Sequence, residues 1–117
     1  MTSANKETIR KVNEGFMSGD TDAILAHLCD DVRWHINGNL SAVDKESFRK
    51  EVRNEDFEGR PVINVTLKVK EGDHVAAEGT VSCHLKGGML FETYFFDIYR
   101  FENGKIKDMR SDVVAKK

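Results

Sequence analysis

The stretch MLFETYFFDIYRFENGKI, residues 89–106, decides the fold of this chain. Its aromatic and branched residues favour a β-strand, in which successive side chains alternate between two faces. One face is predicted to carry Phe91, Thr93, Phe95, Asp97, Tyr99 and Phe101, and the other Leu90, Glu92, Tyr94, Phe96, Ile98 and Arg100. Asn103-Gly104 is the strongest hairpin signal in the chain, so a last strand is expected from Lys105 to about Val113.

Asp97 is the one carboxylate on the first of these two faces. Phe95 and Tyr99 flank it at two-residue spacing, so desolvation is expected to raise its pKa and can keep it protonated as a hydrogen-bond donor. A structural role is the alternative, in which Asp97 pairs with a basic residue such as Arg100 or Arg110, or caps a backbone group. The pattern leaves both roles open.

Further strands are predicted before the aromatic one. A period-two alternation begins after Pro61, Gly72-Asp73 makes a turn, and a return strand runs to Leu85 before Gly87-Gly88. The alternating apolar residues of the outgoing strand are Ile63, Val65, Leu67 and Val69. These segments are predicted to form a hairpin, and the polar residues of the return strand suggest that one of its faces is exposed to solvent.

Helices are predicted in the first half of the chain. Apolar residues at three-to-four spacing indicate a helix over residues 5–18, and Asp20 and Asp44 are candidate N-caps for two shorter helices. A short strand lies between those two and ends at Asn37-Gly38. The predicted buried positions are Ile9, Val12, Phe16 and Met17 in the first helix, Ile24, Leu25 and Leu28 in the second, Val32, Trp34 and Ile36 in the strand, and Val43, Phe48 and Val52 in the third helix.

Helices followed by hairpin-linked strands predict an α+β fold, in which a curved antiparallel sheet wraps around the N-terminal helices as a cone. Such a cone would be lined by large side chains with few polar groups, which is the usual composition of a small-molecule site. The candidate pocket residues are Val12, Phe16, Trp34, Ile36, Phe95, Asp97, Tyr99, Met109 and Ser111. The alternative is that these side chains simply fill the core.

Composition limits the possible functions. The chain has 117 residues, of which 39% are hydrophobic, and a formal charge of −2, so a single domain over residues 1–117 is expected, with no nucleic-acid partner. No apolar run is long enough for a membrane span, and a cytoplasmic protein is predicted. Cys29 and Cys83 are isolated and the four histidines lack ligand spacing, so no metal site is expected. The sequence has no Gly-rich phosphate loop, so no cofactor such as ATP or a dinucleotide is expected either.

The chain resembles the SnoaL-like and ketosteroid-isomerase-like branch of the nuclear transport factor 2-like superfamily. The resemblance rests on VNEGFMSGDTDAILAHLCDDVRWH, residues 12–35, and on FFDIYRFENGKIKDMR, residues 95–110. It implies a cystatin-like conical α+β barrel that is often a homodimer through the outer sheet face. Members include isomerases, cyclases, dehydratases, epoxide hydrolases and non-catalytic binding proteins, so the fold does not imply the function.

The resemblance also suggests roles for single residues. Asp97 matches the protonated aspartic acid of the ketosteroid isomerase oxyanion hole, and Tyr99 matches an aromatic pocket position. Val12 and Ile36 stand where that enzyme has its tyrosine donor and its aspartate base, and neither can move a proton. His35 is next to the base position, but on a regular strand it would face away unless a bulge intervenes.

Three classes of function follow from the sequence. The first is a cofactor-free isomerase, cyclase or dehydratase in which Asp97 acts as acid, Tyr99 assists and His35 or the substrate supplies the base. The second is a binding module that holds a small hydrophobic molecule in an apolar cone. The third is a dimeric interaction domain with a filled cone, whose exposed sheet face is covered by a partner chain.

Overall fold

The computed structural model describes residues 4–52 and 57–116, with the backbone alone for residues 57–60. Three helices are present: α1 (Ala4–Ser18), α2 (Thr21–Leu25) and α3 (Lys45–Val52). Six strands follow or separate them: β1 (Leu28–Ile36), β2 (Asn39–Ala42), β3 (Phe57–Glu71), β4 (His74–Leu85), β5 (Leu90–Glu102) and β6 (Lys105–Ala115). No helix of the described part is long and apolar enough to cross a membrane.

The six strands form one curved sheet in the order β2-β1-β6-β5-β4-β3. Neighbouring strands are antiparallel except for β1 and β6, which pair in parallel. The predicted α+β fold is therefore confirmed, but the sheet is mixed and not purely antiparallel. Hairpin signals report only consecutive strands, so they could not predict a pairing between β1 and β6.

Local signals explain where the helices begin and end. The Asp20 side chain accepts a hydrogen bond from the Ala23 N–H at 3.1 Å, and Asp44 Oδ1 accepts one from the Ser47 N–H at 2.8 Å. Both bonds satisfy free donors in a first helical turn, as N-caps do. Gly19 follows α1 at a φ of 74°. The predicted helix starts are thus confirmed.

Several predicted elements differ from the structure. Leu28 is fully buried but begins β1 and is not part of α2. Val43 was predicted to be buried in α3, but it lies before that helix and is 49% exposed. The prediction was wrong because it extended the apolar spacing of the helix to a residue that precedes the cap at Asp44. The short strand β2 was not predicted, since its alternation spans only four residues, which is too short for a clear periodic signal.

A β-bulge changes the face of β3. The pairing of β3 with β4 shifts register between Val65 and Leu67. One extra residue moves every later side chain to the opposite face, so Leu67 and Val69 are exposed where the alternation predicted burial.

The core lies between the inner sheet face and the helices. β5 follows the predicted alternation: Thr93, Phe95, Asp97, Tyr99 and Phe101 are buried, whereas Tyr94 and Phe96 on the other face are exposed. Asn103 and Gly104 both have positive φ, as a tight hairpin turn requires.

Candidate functional site

A cavity of about 700 Å³ opens between the inner face of the sheet and the helices. This volume is in the range of small-molecule sites. The described residues that line it are Asn13, Phe16, Gly19, Thr21, Trp34, Ile36, Glu51, Val52, Pro61, Ile63, Val81, Cys83, Phe91, Thr93, Phe95, Asp97, Met109, Ser111 and Val113. The cone is therefore open, and its side chains do not fill it.

Asp97 lies on the wall of this cavity and is 8% exposed. It stands directly opposite Ser111 in the pairing of β5 with β6. The Tyr99 hydroxyl donates a hydrogen bond to Asp97 Oδ2 at 3.0 Å, and the Ser111 hydroxyl is a second hydrogen-bond partner. The carboxylate is thus held by two hydroxyl groups.

Among the residues whose side chains the structure describes, Asp97 forms no ion pair with Arg100 or Arg110, the partners that the sequence left open. The Arg100 Nε–H donates to Asp108 Oδ2 at 2.7 Å, so this guanidinium is engaged on the outer face. Arg110 is exposed and pairs with Ile98 in the strand register, which also places it on the outer face. Neither arginine neutralises Asp97.

Burial raises the pKa of Asp97 to about 6, while the hydrogen bonds from Ser111 and Tyr99 act in the opposite direction and the charge of Asp112 adds to the rise. The raised pKa has the direction expected from the aromatic neighbours. A carboxyl of pKa about 6 is nevertheless mostly ionised at neutral pH in the empty cavity. It can accept a proton and give it back within the physiological range.

Tyr99 lies behind Asp97 and does not line the cavity. It is fully buried, and burial beside Asp97 raises its pKa well above the ordinary value. The phenol therefore stays protonated and acts as a fixed donor to Asp97. Val12 on α1 is also fully buried in the hydrophobic core, and it is not among the described residues that line the cavity.

His35 is not among the described residues that line the cavity. Trp34 and Ile36 line it, and their partners across the parallel pair are Met109 and Ser111, whereas His35 is paired with the exposed Arg110. The β1–β2 pairing shifts register between Trp34 and His35, but this irregularity leaves the alternation on the β6 side intact. His35 therefore faces outward.

Several lining residues were not singled out from the sequence. Phe91 and Thr93 share the Asp97 face of β5, so the alternation could have found them. Ile63 and Val81 oppose each other across β3 and β4, a pairing that only the register decides. Asn13 lies beside Val12 on α1 and adds a polar side chain to the wall.

Asn37 is a further residue whose role the sequence did not predict. Its N–H donates to the Ser111 carbonyl oxygen at 2.8 Å, and its Oδ1 accepts from the Val113 N–H at 2.8 Å. These bonds hold β6 next to the end of β1, and so they fix the backbone that carries Ser111.

Within the described residues, no group of three or more His, Cys, Asp or Glu side chains could hold a metal ion.

Comparison with solved structures shows the same fold in other proteins. An NTF2-like protein of unknown function from Burkholderia pseudomallei has a TM-score of 0.85 at 22% identity, over 94% of this chain and 90% of that one. A proposed SnoaL-like polyketide cyclase from Jannaschia sp. CCS1 has a TM-score of 0.84 at 18% identity, over 94% and 85%. TerC, crystallised with polyporic acid, has a TM-score of 0.83 at 20% identity, over 93% and 90%.

These identities support a shared fold and leave the reaction open. No match was found among curated proteins. The family profile of the SnoaL-like domain matches residues 9–109, which includes the first motif, the second motif up to Met109, and both Asp97 and Tyr99. The chain therefore belongs to the family of SnoaL-like domains.

Proposed function

We propose that the cavity binds a small hydrophobic molecule and that Asp97 exchanges a proton with it, in a cofactor-free isomerase or cyclase reaction. The observation that carries this proposal is Asp97, a buried carboxyl of pKa about 6 on the wall of a cavity whose other described lining residues are largely apolar. Perturbed carboxyls in clefts of this kind are candidates for acid–base groups.

The chemistry follows from the state of Asp97. An ionised carboxylate only accepts hydrogen bonds, so it suits a ligand that presents a hydroxyl or an acidic C–H beside a carbonyl. In an isomerisation, Asp97 takes the proton from one carbon and returns it to another. In a ring closure, the carbanion formed attacks a carbonyl carbon of the same molecule, and the resulting alkoxide takes up the proton that Asp97 releases.

One of the structural neighbours supports a ligand of this kind. The Jannaschia protein is a proposed polyketide cyclase. Phe16, Trp34 and Phe95 would contact a planar ligand in the present cavity. The binding-only reading needs the same cavity and no proton transfer.

Charge predicts which ligands the cavity accepts. Among the described lining residues, the formally charged side chains are Asp97 and Glu51, both acidic. Burial of an anionic ligand beside them is costly, so β-tetralone is expected to bind more tightly than naphthoate, a similarly sized acid, by about tenfold or more at neutral pH. Isothermal titration calorimetry measures both affinities.

The Asp97→Asn variant is the matched control for this measurement. It removes one of the two negative charges, so the difference between the ketone and the acid is expected to narrow. Equal affinities in the wild-type protein, or a preference for naphthoate, would contradict the assigned ligand class. Absence of binding by both compounds would count against small-molecule binding itself.

We also propose that the outer sheet face pairs with a second copy of the chain. Exposed apolar side chains from three strands lie on that face: Leu67, Val69, Tyr94, Phe96 and Val114. The bulge in β3 places the first two on the same face as the aromatic residues of β5, with β4 between the two strands. Exposed patches of this kind mark interaction sites.

Sedimentation velocity tests this dimer. The wild-type chain is expected to sediment as a dimer at micromolar concentration and Phe96→Glu as a monomer, because the new charge would lie in the interface. Val43→Glu is the control, since Val43 is exposed to a similar extent but lies outside the sheet face. A wild-type monomer at every concentration would refute the dimer.

A further inference from the structure

The chain contains a single tryptophan, and its indole is held in one orientation at the cavity wall. Trp34 stacks on Phe48, with ring centroids 4.5 Å apart and planes inclined by 24°. Phe16 packs against it at 6.3 Å in a tilted arrangement. The indole Nε1–H donates a hydrogen bond to Ser111 Oγ at 2.9 Å, across 77 residues of sequence.

The number of protons in this network fixes the direction of each hydrogen bond. An indole N–H can only donate, so Ser111 Oγ must accept from Trp34. The hydroxyl of Ser111 has one proton, which remains available for its other partner, Asp97. The Tyr99 hydroxyl approaches the same carboxyl. Two hydroxyl protons therefore converge on Asp97, and the Trp34 bond leaves Ser111 fewer alternative orientations.

We propose that Trp34 and Ser111 are positioning residues for Asp97: the indole N–H orients the Ser111 hydroxyl so that its proton points at the carboxyl group. The proposal rests on the proposed function, which gives Asp97 its role in proton transfer. Trp34 and Ser111 both line the cavity, so a ligand that moves the indole would also change the donor that Asp97 receives.

Several charged or titratable groups lie near Asp97 and contribute to a pH titration of this network. Tyr99 on β5 and Asp112 on β6 act on its charge, and β4 places Ala77 opposite it. The cavity wall adds Glu51 on α3. His35 is adjacent to Trp34 in the chain, so a variant at this position serves as a control.

The test is an NMR titration of the protein without ligand. Since there is one tryptophan, the indole N–H gives one cross-peak, and its shift is expected to follow the titration of the Asp97 carboxyl carbon. The pH dependence with that midpoint should disappear in Asp97→Asn and remain in His35→Gln. A cross-peak that titrates unchanged in Asp97→Asn would overturn the proposal.

Substitutions at the other two positions separate positioning from folding. Ser111→Ala removes one donor to the carboxylate, so the pKa of Asp97 is expected to rise by about one unit, and Ser111→Thr should restore it. Trp34→Phe keeps an aromatic ring against Phe48 and should produce a smaller rise. An unchanged pKa in folded Ser111→Ala would refute the role of Ser111, and an unchanged pKa in folded Trp34→Phe would refute that of Trp34.

These measurements need no substrate. The network can therefore fail while ligand binding succeeds, and ligand binding can fail while the network titrates as expected.

Discussion

Asp97→Asn is expected to slow proton exchange at the acidic carbon of β-tetralone by about 10²- to 10⁴-fold, which is the usual contribution of a positioned acid or base. The amide cannot take up the proton, although it has the size of the carboxyl group. Exchange into heavy water, followed by NMR, measures the rate without knowledge of the natural substrate.

Two controls accompany this rate. The affinity for β-tetralone should change by less than about tenfold, because the apolar walls remain. The wild-type rate should rise with pH through a midpoint near 6 and then level off, since the ionised form of Asp97 is the active one. A variant that binds the ketone and exchanges at the wild-type rate would show that Asp97 is not the proton acceptor.

Stability gives a further check on Asp97. Its pKa in the folded protein, about 6, is above the ordinary value of 3.8, so the folded state binds the proton more tightly than the unfolded state does. Protonation of Asp97 therefore stabilises the folded state below about pH 4, and this stabilisation is lost as pH rises through about 6. The free energy of unfolding is expected to fall by about 2 to 3 kcal/mol over this range. This loss should be absent in Asp97→Asn, and loss of folding in that variant would mark Asp97 as structural.

Gly79→Ala is expected to lower the free energy of unfolding by about 3 kcal/mol and the melting temperature by about 12 °C. An added Cβ would lie 2.9 Å from Val65 Cα and overlap the Asn64 carbonyl oxygen. Both contacts are to the backbone of β3 beside its bulge, and neither atom can move away by a change of rotamer. Thermal unfolding followed by circular dichroism measures the effect.

Gly72→Ala is the matched control for this substitution. No atom lies within 4 Å of its added Cβ, but its φ of 56° is unfavourable for alanine. The expected loss is about 1 kcal/mol. If Gly79→Ala lost no more than Gly72→Ala, the close approach of β3 to β4 would not be needed for the fold.

The residues around Asp97 illustrate what local sequence predicts well. Alternation in β5 predicted its two faces, because adjacent strand residues always point in opposite directions. Asp20, Asp44 and Asn103-Gly104 marked caps and a turn, because their side chains or backbone satisfy bonds within a few residues. The motifs at residues 12–35 and 95–110 indicated the SnoaL-like family, and the family profile confirms it over residues 9–109.

The sequence by itself therefore determined the two faces of β5, the helix starts and the family. Only the tertiary structure decided the parallel pairing of β1 with β6, the bulge that exposes Leu67 and Val69, and the outward position of His35. It also brought the Trp34 indole to the Ser111 hydroxyl, and it placed the hydroxyl groups of Tyr99 and Ser111 next to the Asp97 carboxyl. The physical reason is range: caps and alternation depend on neighbours in sequence, whereas register between distant strands depends on how the whole sheet packs against its helices.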